Sequence, residues 1–164
     1  MKNPQNSKAV ADIETGVILA SADIDVQPEL IFNALAKPKE IEHWWGAEDF
    51  YQMTQWKSRF EVGGDYSVVV LMADGEEKPA SGTFMEINFP VKISHTRRYD
   101  WDFPLLGRKP TTITYAIKEM ESGSRLTVRH EGFKGFEAAA VQHAEHWERV
   151  LNWLSTYLTD IRSN

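Results

Sequence analysis

Three histidines in the last third of the chain offer the clearest chance of reactive chemistry. His143 and His146 stand three positions apart in a helical pattern, so both can face one point. His130 precedes them on a strand face shared with Leu126 and Val128. Three imidazoles around one metal, with a fourth position left to water, is the arrangement of a catalytic zinc site. The sequence places no carboxylate to orient them, and the His-x-x-His spacing is common by chance. Pocket lining or a surface helix is the better reading, and no metal is expected. His130 by itself is either a satisfied core imidazole or a group that touches a ligand, since a buried imidazole needs a partner.

Aromatic residues form the second constellation. Trp44 and Trp45 are adjacent at the end of a short helical pattern. Facing different ways, one would plug the core and the other would edge a pocket mouth. Tyr99, Trp101 and Phe103 alternate beside Arg97, Asp100 and Asp102. Rings at every second position line a wall for a flat ligand, or pack as ordinary core. The paired carboxylates, Asp100 with Asp102 and Glu76 with Glu77, fall in turn or edge contexts. No phosphate-binding loop, nucleophile elbow or Gly-x-Gly-x-x-Gly run is present. Nothing nominates a nucleophile with its base, and no catalytic residue is assigned.

These residues must be positioned by strands and one long helix. Residues 16–26 alternate, with Ile18, Ala20, Ala22, Ile24 and Val26 forming a wholly apolar face. Pro28 and Glu29 open a helix whose Ile31, Phe32 and Leu35 recur at helical spacing, and Lys37-Pro38 closes it. A second short helix over 38–43 leads into Trp44-Trp45-Gly46. Strands are expected over 54–61, 66–72, 80–89, 91–101, 111–119 and 124–132. Gly63-Gly64, Ala73-Asp74-Gly75-Glu76 and Glu121-Ser122-Gly123 mark the turns. Strands joined by short turns imply an antiparallel sheet. Ala140, Ala144, Trp147, Leu151, Leu154, Leu158 and Ile161 then form one helical seam. It is too short for a convincing coiled coil, and suits a helix lying in the hollow of a sheet.

Composition excludes several classes. The 164 residues fit one domain, 1–164, with 1–11 read as a flexible tail. Lys plus Arg is 18 against 24 for Asp plus Glu, giving a net charge of −6 with no basic stripe for phosphates or anionic lipid. The absence of Cys removes disulfides and thiolate chemistry. No apolar run approaches the ~20 residues of a membrane span, and the N-terminus lacks the apolar segment of a secretory signal. A cytoplasmic location follows by default.

The order of these motifs resembles a known family. The runs 28–35 and Ile41-Glu42-His43-Trp44-Trp45-Gly46 resemble the opening of domains homologous to the C-terminal domain of the activator of Hsp90 ATPase. Those domains belong to the START-like (Bet v 1-like) superfamily. Phe60-Glu61-Val62-Gly63-Gly64-Asp65-Tyr66 is similar to the family's Gly-Gly hairpin. Residues 81–87 and 123–132 resemble two later strands, and Trp147, Leu151, Leu154, Tyr157 and Leu158 its terminal helix. The resemblance covers about residues 18–158.

It implies an α+β helix-grip fold: a curved antiparallel sheet of about seven strands and two short helices wrapped around a long C-terminal helix, enclosing a hydrophobic cavity. One position departs from the family. Members often carry Gly just before the tryptophan of the last helix, where this chain has His146. A larger side chain there would shrink or polarise the cavity, which counts against a bulky lipid.

The expected function is binding of a small apolar, lipid-like or aromatic molecule. The cavity is expected to be lined by Trp45, Trp56, Tyr66, Val68, Phe84, Tyr99, Trp101, Tyr115, Val128, His130, His143 and Trp147. The alternative is a co-chaperone-like module that engages a protein partner through its outer surface. Less favoured is a cyclase- or hydrolase-type enzyme using the cavity. No cofactor and no nucleic-acid partner are expected, and the protein is read as a monomer or homodimer.

Overall fold

The computed structural model describes residues 7–163. Through them run β1 (Lys8–Asp12), β2 (Val17–Ile24), α1 (Pro28–Ala36), α2 (Pro38–Trp44), β3 (Gly46–Ala47), β4 (Tyr51–Ser58), β5 (Asp65–Met72), β6 (Glu77–Asn88), β7 (Lys92–Tyr99), β8 (Thr111–Glu119), β9 (Ser124–Glu131) and α3 (Glu137–Ser163). Together they form the α+β helix-grip arrangement. The strands make one sheet in the order β1-β2-β9-β8-β7-β6-β5-β4-β3, and every neighbouring pair is antiparallel.

Period-two patterning builds the inner face of that sheet. Ile18, Ala20, Ala22 and Ile24 of β2 are all buried, and Leu126, Val128 and His130 of β9 pair with them in register. The long helix closes the hollow. Ala140, Ala144, Trp147, Leu151, Leu154 and Leu158 are buried in the same core as the inward residues of the strands. Ile161, expected on that seam, is 38% exposed in the helix's last turn.

Three expectations are corrected. The sheet has nine strands among the described residues where about seven were expected. The extra two are β1 and the two-residue β3, both at sheet edges. Residues 8–11, expected within a flexible tail, belong to β1. Ala9 pairs with Ala20, Ala9 and Ala11 pack against the core, and the Ala9 amide donates to the Glu148 carboxylate at 3.2 Å. Residues 1–6 of that expected tail lie outside the described residues. The strand expected over 54–61 begins earlier and is interrupted: Gln55 has φ 51°, the register slips between Thr54 and Lys57, and Phe60 lies beyond the strand's end.

Candidate functional site

Alternation along β7 sends Ile93, His95, Arg97 and Tyr99 to the inner face of the sheet. The first two are buried, but the last two border a recess of about 300 Å³ under the first half of α3. Tyr51 of β4 and Val70 and Met72 of β5 form one side. Tyr99, Trp101 and Phe103 form another, and Gln142, His143, Glu145, His146 and Arg149 descend from α3. The aromatic wall is ordered by its own contacts. Tyr99 and Phe103 stack with centroids 3.9 Å apart, Trp101 meets Phe103 edge-on, and the Lys78 ammonium lies 4.5 Å from the Trp101 ring.

Each histidine of α3 is fixed by its hydrogen bonds. Nδ1 of His143 donates to the Ala139 carbonyl at 2.8 Å, so Nε2 accepts from the Tyr99 hydroxyl at 2.9 Å. Arg149 can only donate, and its Nη1 lies 3.1 Å from Nδ1 of His146. The His146 proton therefore sits on Nε2, which donates to the Tyr51 hydroxyl. Nε1 of Trp45 donates to the same oxygen at 3.2 Å. Burial, aided by the charge of Arg97, lowers His143 to about 4 and His146 to about 3, although the backbone bond to Ala139 partly opposes this at His143. Both rings are neutral at pH 7. The Tyr51 and Tyr99 phenols are raised by burial and stay protonated.

His130 does not face this recess. Its Nδ1 accepts from Trp147 Nε1 at 3.0 Å and its Nε2 donates to Thr111 Oγ1 at 2.7 Å. Both ring nitrogens are committed inside the core, although the His143 ring centroid is only 5.8 Å away. Among the described residues no group of His, Cys, Asp or Glu is placed to hold a metal ion.

Of the expected lining, Tyr99, Trp101 and His143 reach the recess. Val68, Tyr115, Val128, His130 and Trp147 are packed in the core instead. Trp56, Tyr66 and Phe84 gather elsewhere: Trp56 stacks flat on Tyr66 at 4.9 Å, and Phe84 leans on Tyr66 at 5.5 Å. Trp45 is 5% and Trp44 4% exposed, and their rings stack at 5.0 Å, so neither edges a pocket mouth. The helix ends at Trp44 and the backbone of Trp45 is extended, which swings the second ring onto the first. Trp45 still reaches the site through its bond to Tyr51.

Arg97, Tyr51 and Arg149 were missed from sequence. Arg97 carried a usable signal, since it has the same strand parity as Tyr99 and the buried His95. His146 was noticed as a departure, and it does polarise the recess.

A larger hollow of about 580 Å³ borders β5 and β6 among Lys57, Arg59, Ser67, Ser81, Thr83 and Arg98. Its arginines pair with Glu61 and Asp100 at the surface. Tyr66 and Pro110 give it some apolar surface, but the hydroxyls of Ser67, Ser81 and Thr83 and the charges of Lys57, Arg59, Asp65 and Arg98 surround them, as in a solvated trough.

The profile of the family described as Activator of Hsp90 ATPase homolog 1-like protein matches residues 25–159. No curated protein matches the sequence. Several solved structures share the fold. A Mycobacterium smegmatis protein is 20% identical with a TM-score of 0.77, over 94% of this chain and 98% of its own. An Arthrobacter aurescens protein is 18% identical with a TM-score of 0.74, over 89% and 85%. A Silicibacter pomeroyi protein that carries the family's name is 18% identical with a TM-score of 0.72, over 87% and 97%.

Proposed function

The chain belongs to the Activator of Hsp90 ATPase homolog 1-like family, and from that premise we propose that it binds a small aromatic molecule in the recess beneath the first half of α3. The observation that carries this reading is the wall of Tyr99, Trp101 and Phe103 facing Tyr51 across about 300 Å³. Binding sites for small molecules are concave, lined by rings, and supplied with a few polar groups that fix orientation. Here Tyr51, His143 and His146 are those groups. The volume is near the lower end for such sites, and charged residues from α3 and β7 border it. A flat, compact molecule fits these walls better than a long acyl chain.

Native mass spectrometry of freshly purified protein, together with titration by the neutral fluorophore Nile red, tests the reading. A co-purified small mass, or Nile red binding that is lost in Met72→Trp, supports it. No bound mass, with equal Nile red binding by both proteins, overturns it.

The family's description names an activator of Hsp90 ATPase, and a co-chaperone-like role would use the outer surface instead. Binding of an Hsp90 protein that is unchanged in Met72→Trp, with no small-molecule binding, would favour that role.

A further inference from the structure

Arg97 is drawn into the recess without a counter-ion. Among the described residues no carboxylate lies within ion-pair distance of its guanidinium. Its guanidinium lies over the faces of two rings: the centroid of Trp45 is 5.7 Å away and that of Tyr99 5.5 Å away. The other cations of the lining are engaged. Lys78 pairs with Glu76 at 3.0 Å, and Arg149 donates to His146. Glu145, the carboxylate of the lining, is exposed on α3 and makes no pair with Arg97. A guanidinium cannot shed its proton, so burial without an anion leaves a charge that a ligand can satisfy.

A second donor converges on the same space. Tyr51 accepts two hydrogen bonds, from Trp45 Nε1 and from Nε2 of His146. Those bonds occupy its oxygen as an acceptor and leave its own O–H proton to donate. Tyr51 also lines the recess beside Arg97. The protein as a whole carries −6, so an anion is admitted only where the local charge is reversed. With Lys78 balanced by Glu76, Arg97 and Arg149 against Glu145 provide that reversal.

We propose that the recess takes a planar aromatic carboxylate. The carboxylate would lie on the guanidinium fork of Arg97 and the Tyr51 hydroxyl, with the ring against Tyr99, Trp101 and Phe103. The fork matches a carboxylate by two parallel bonds, and the aromatic wall matches a flat ring. This inference rests on the binding reading above and adds the charge of the ligand to it.

Calorimetric titration at neutral pH with 2-naphthoate and its uncharged isostere 2-naphthamide tests the inference. Wild-type protein is expected to bind the carboxylate at least about tenfold more tightly, the discrimination given by a charged hydrogen-bonded pair. Arg97→Met should reduce 2-naphthoate to the affinity of the amide, and Tyr51→Phe should weaken 2-naphthoate several-fold and by more than it weakens the amide. Far-ultraviolet circular dichroism checks that each variant is folded. If Arg97→Met does not fold, the wild-type comparison and Tyr51→Phe decide. Equal binding of the two probes overturns the anion inference and leaves the aromatic-binding reading standing. Binding of neither overturns the anion inference, and the Nile red titration then decides whether the aromatic-binding reading stands.

Discussion

Nε1 of Trp147 donates to Nδ1 of His130 across 3.0 Å, joining the middle of α3 to the centre of β9. The bond fixes the neutral tautomer of His130, because Nδ1 must then accept and Nε2 must carry the proton. Thr111 on β8 takes that proton at 2.7 Å. One imidazole therefore ties the helix to two strands inside the core, and has no nitrogen left for a metal or a ligand.

Breaking this chain at its far end should be costly. Thr111→Val keeps the volume but leaves Nε2–H of His130 without its acceptor in a buried place. An unsatisfied buried donor costs about 1–3 kcal/mol. For a protein of this size the melting temperature should fall by roughly 2–4 °C for each kcal/mol. Thermal unfolding followed by circular dichroism measures it. An unchanged melting temperature would show that His130 has another acceptor.

The buried histidines also set the pH response. His95 and His143 are lowered by burial from 6.5 to about 4, and His146 to about 3. In the unfolded chain each titrates near the ordinary value, so between pH 6.5 and 4 the unfolded state binds more protons than the folded one. Stability is full above pH 6.5 and declines as the pH falls through that window. Each group contributes on the order of 3 kcal/mol if its whole shift is realised. Asp23 and Asp100 are lowered instead, and their contribution is lost only below the usual carboxylate range. Melting temperatures should therefore be flat from pH 8 to 7 and drop steadily from 6.5 to 4.5. A flat profile down to pH 4.5 would contradict the buried neutral state.

The hairpin glycines separate two kinds of cost. Gly63 has φ +86°, but a Cβ there would meet open space, so Gly63→Ala should cost only about 1 kcal/mol of backbone strain. Gly64 lacks the positive φ, yet a Cβ would come to 2.0 Å from the Arg59 carbonyl oxygen. That is backbone against backbone, so the turn itself must open. Gly64→Ala should be the more destabilising of the two in urea unfolding; the reverse order would refute the placement of this turn.

The sheet and the long helix were legible because their patterns are periodic and span many residues: Ile18 to Ile24 on β2, Ala140 to Leu158 on α3. The edge strands were not, since β1 offers only Ala9 and Ala11 as half-buried positions and β3 has two residues. The bulge at Gln55 also escaped, because an alternating run hides a one-residue slip until the partner strand is known. At the site, apolar and aromatic types were easy to place inside. Parity alone does not say whether an inward residue meets a partner or a gap. Val128 and Tyr99 both point inward, and only the first is filled on every side. Arg97 was passed over because a charged side chain reads as solvated face until its strand neighbours prove buried.

That difference between Val128 and the recess gives the sharpest test of where the open space lies. Val128 is 0% exposed, with Ala20 and Tyr115 directly across on the neighbouring strands. A tryptophan at this position has no room, and overpacking a filled core costs typically 1–3 kcal/mol and sometimes more. Val128→Trp should thus lower stability strongly, through displacement of α3 from the sheet. Met72 sits at the end of β5 on the border of the recess, where a larger ring can extend into space that is already open. Met72→Trp should keep most of the stability while removing probe binding. Urea unfolding of both variants, with Nile red titration of Met72→Trp, measures the contrast. If Val128→Trp were as stable as wild type, the open space would lie under Val128, and the site would move from the Tyr51–Tyr99 recess into the middle of the sheet.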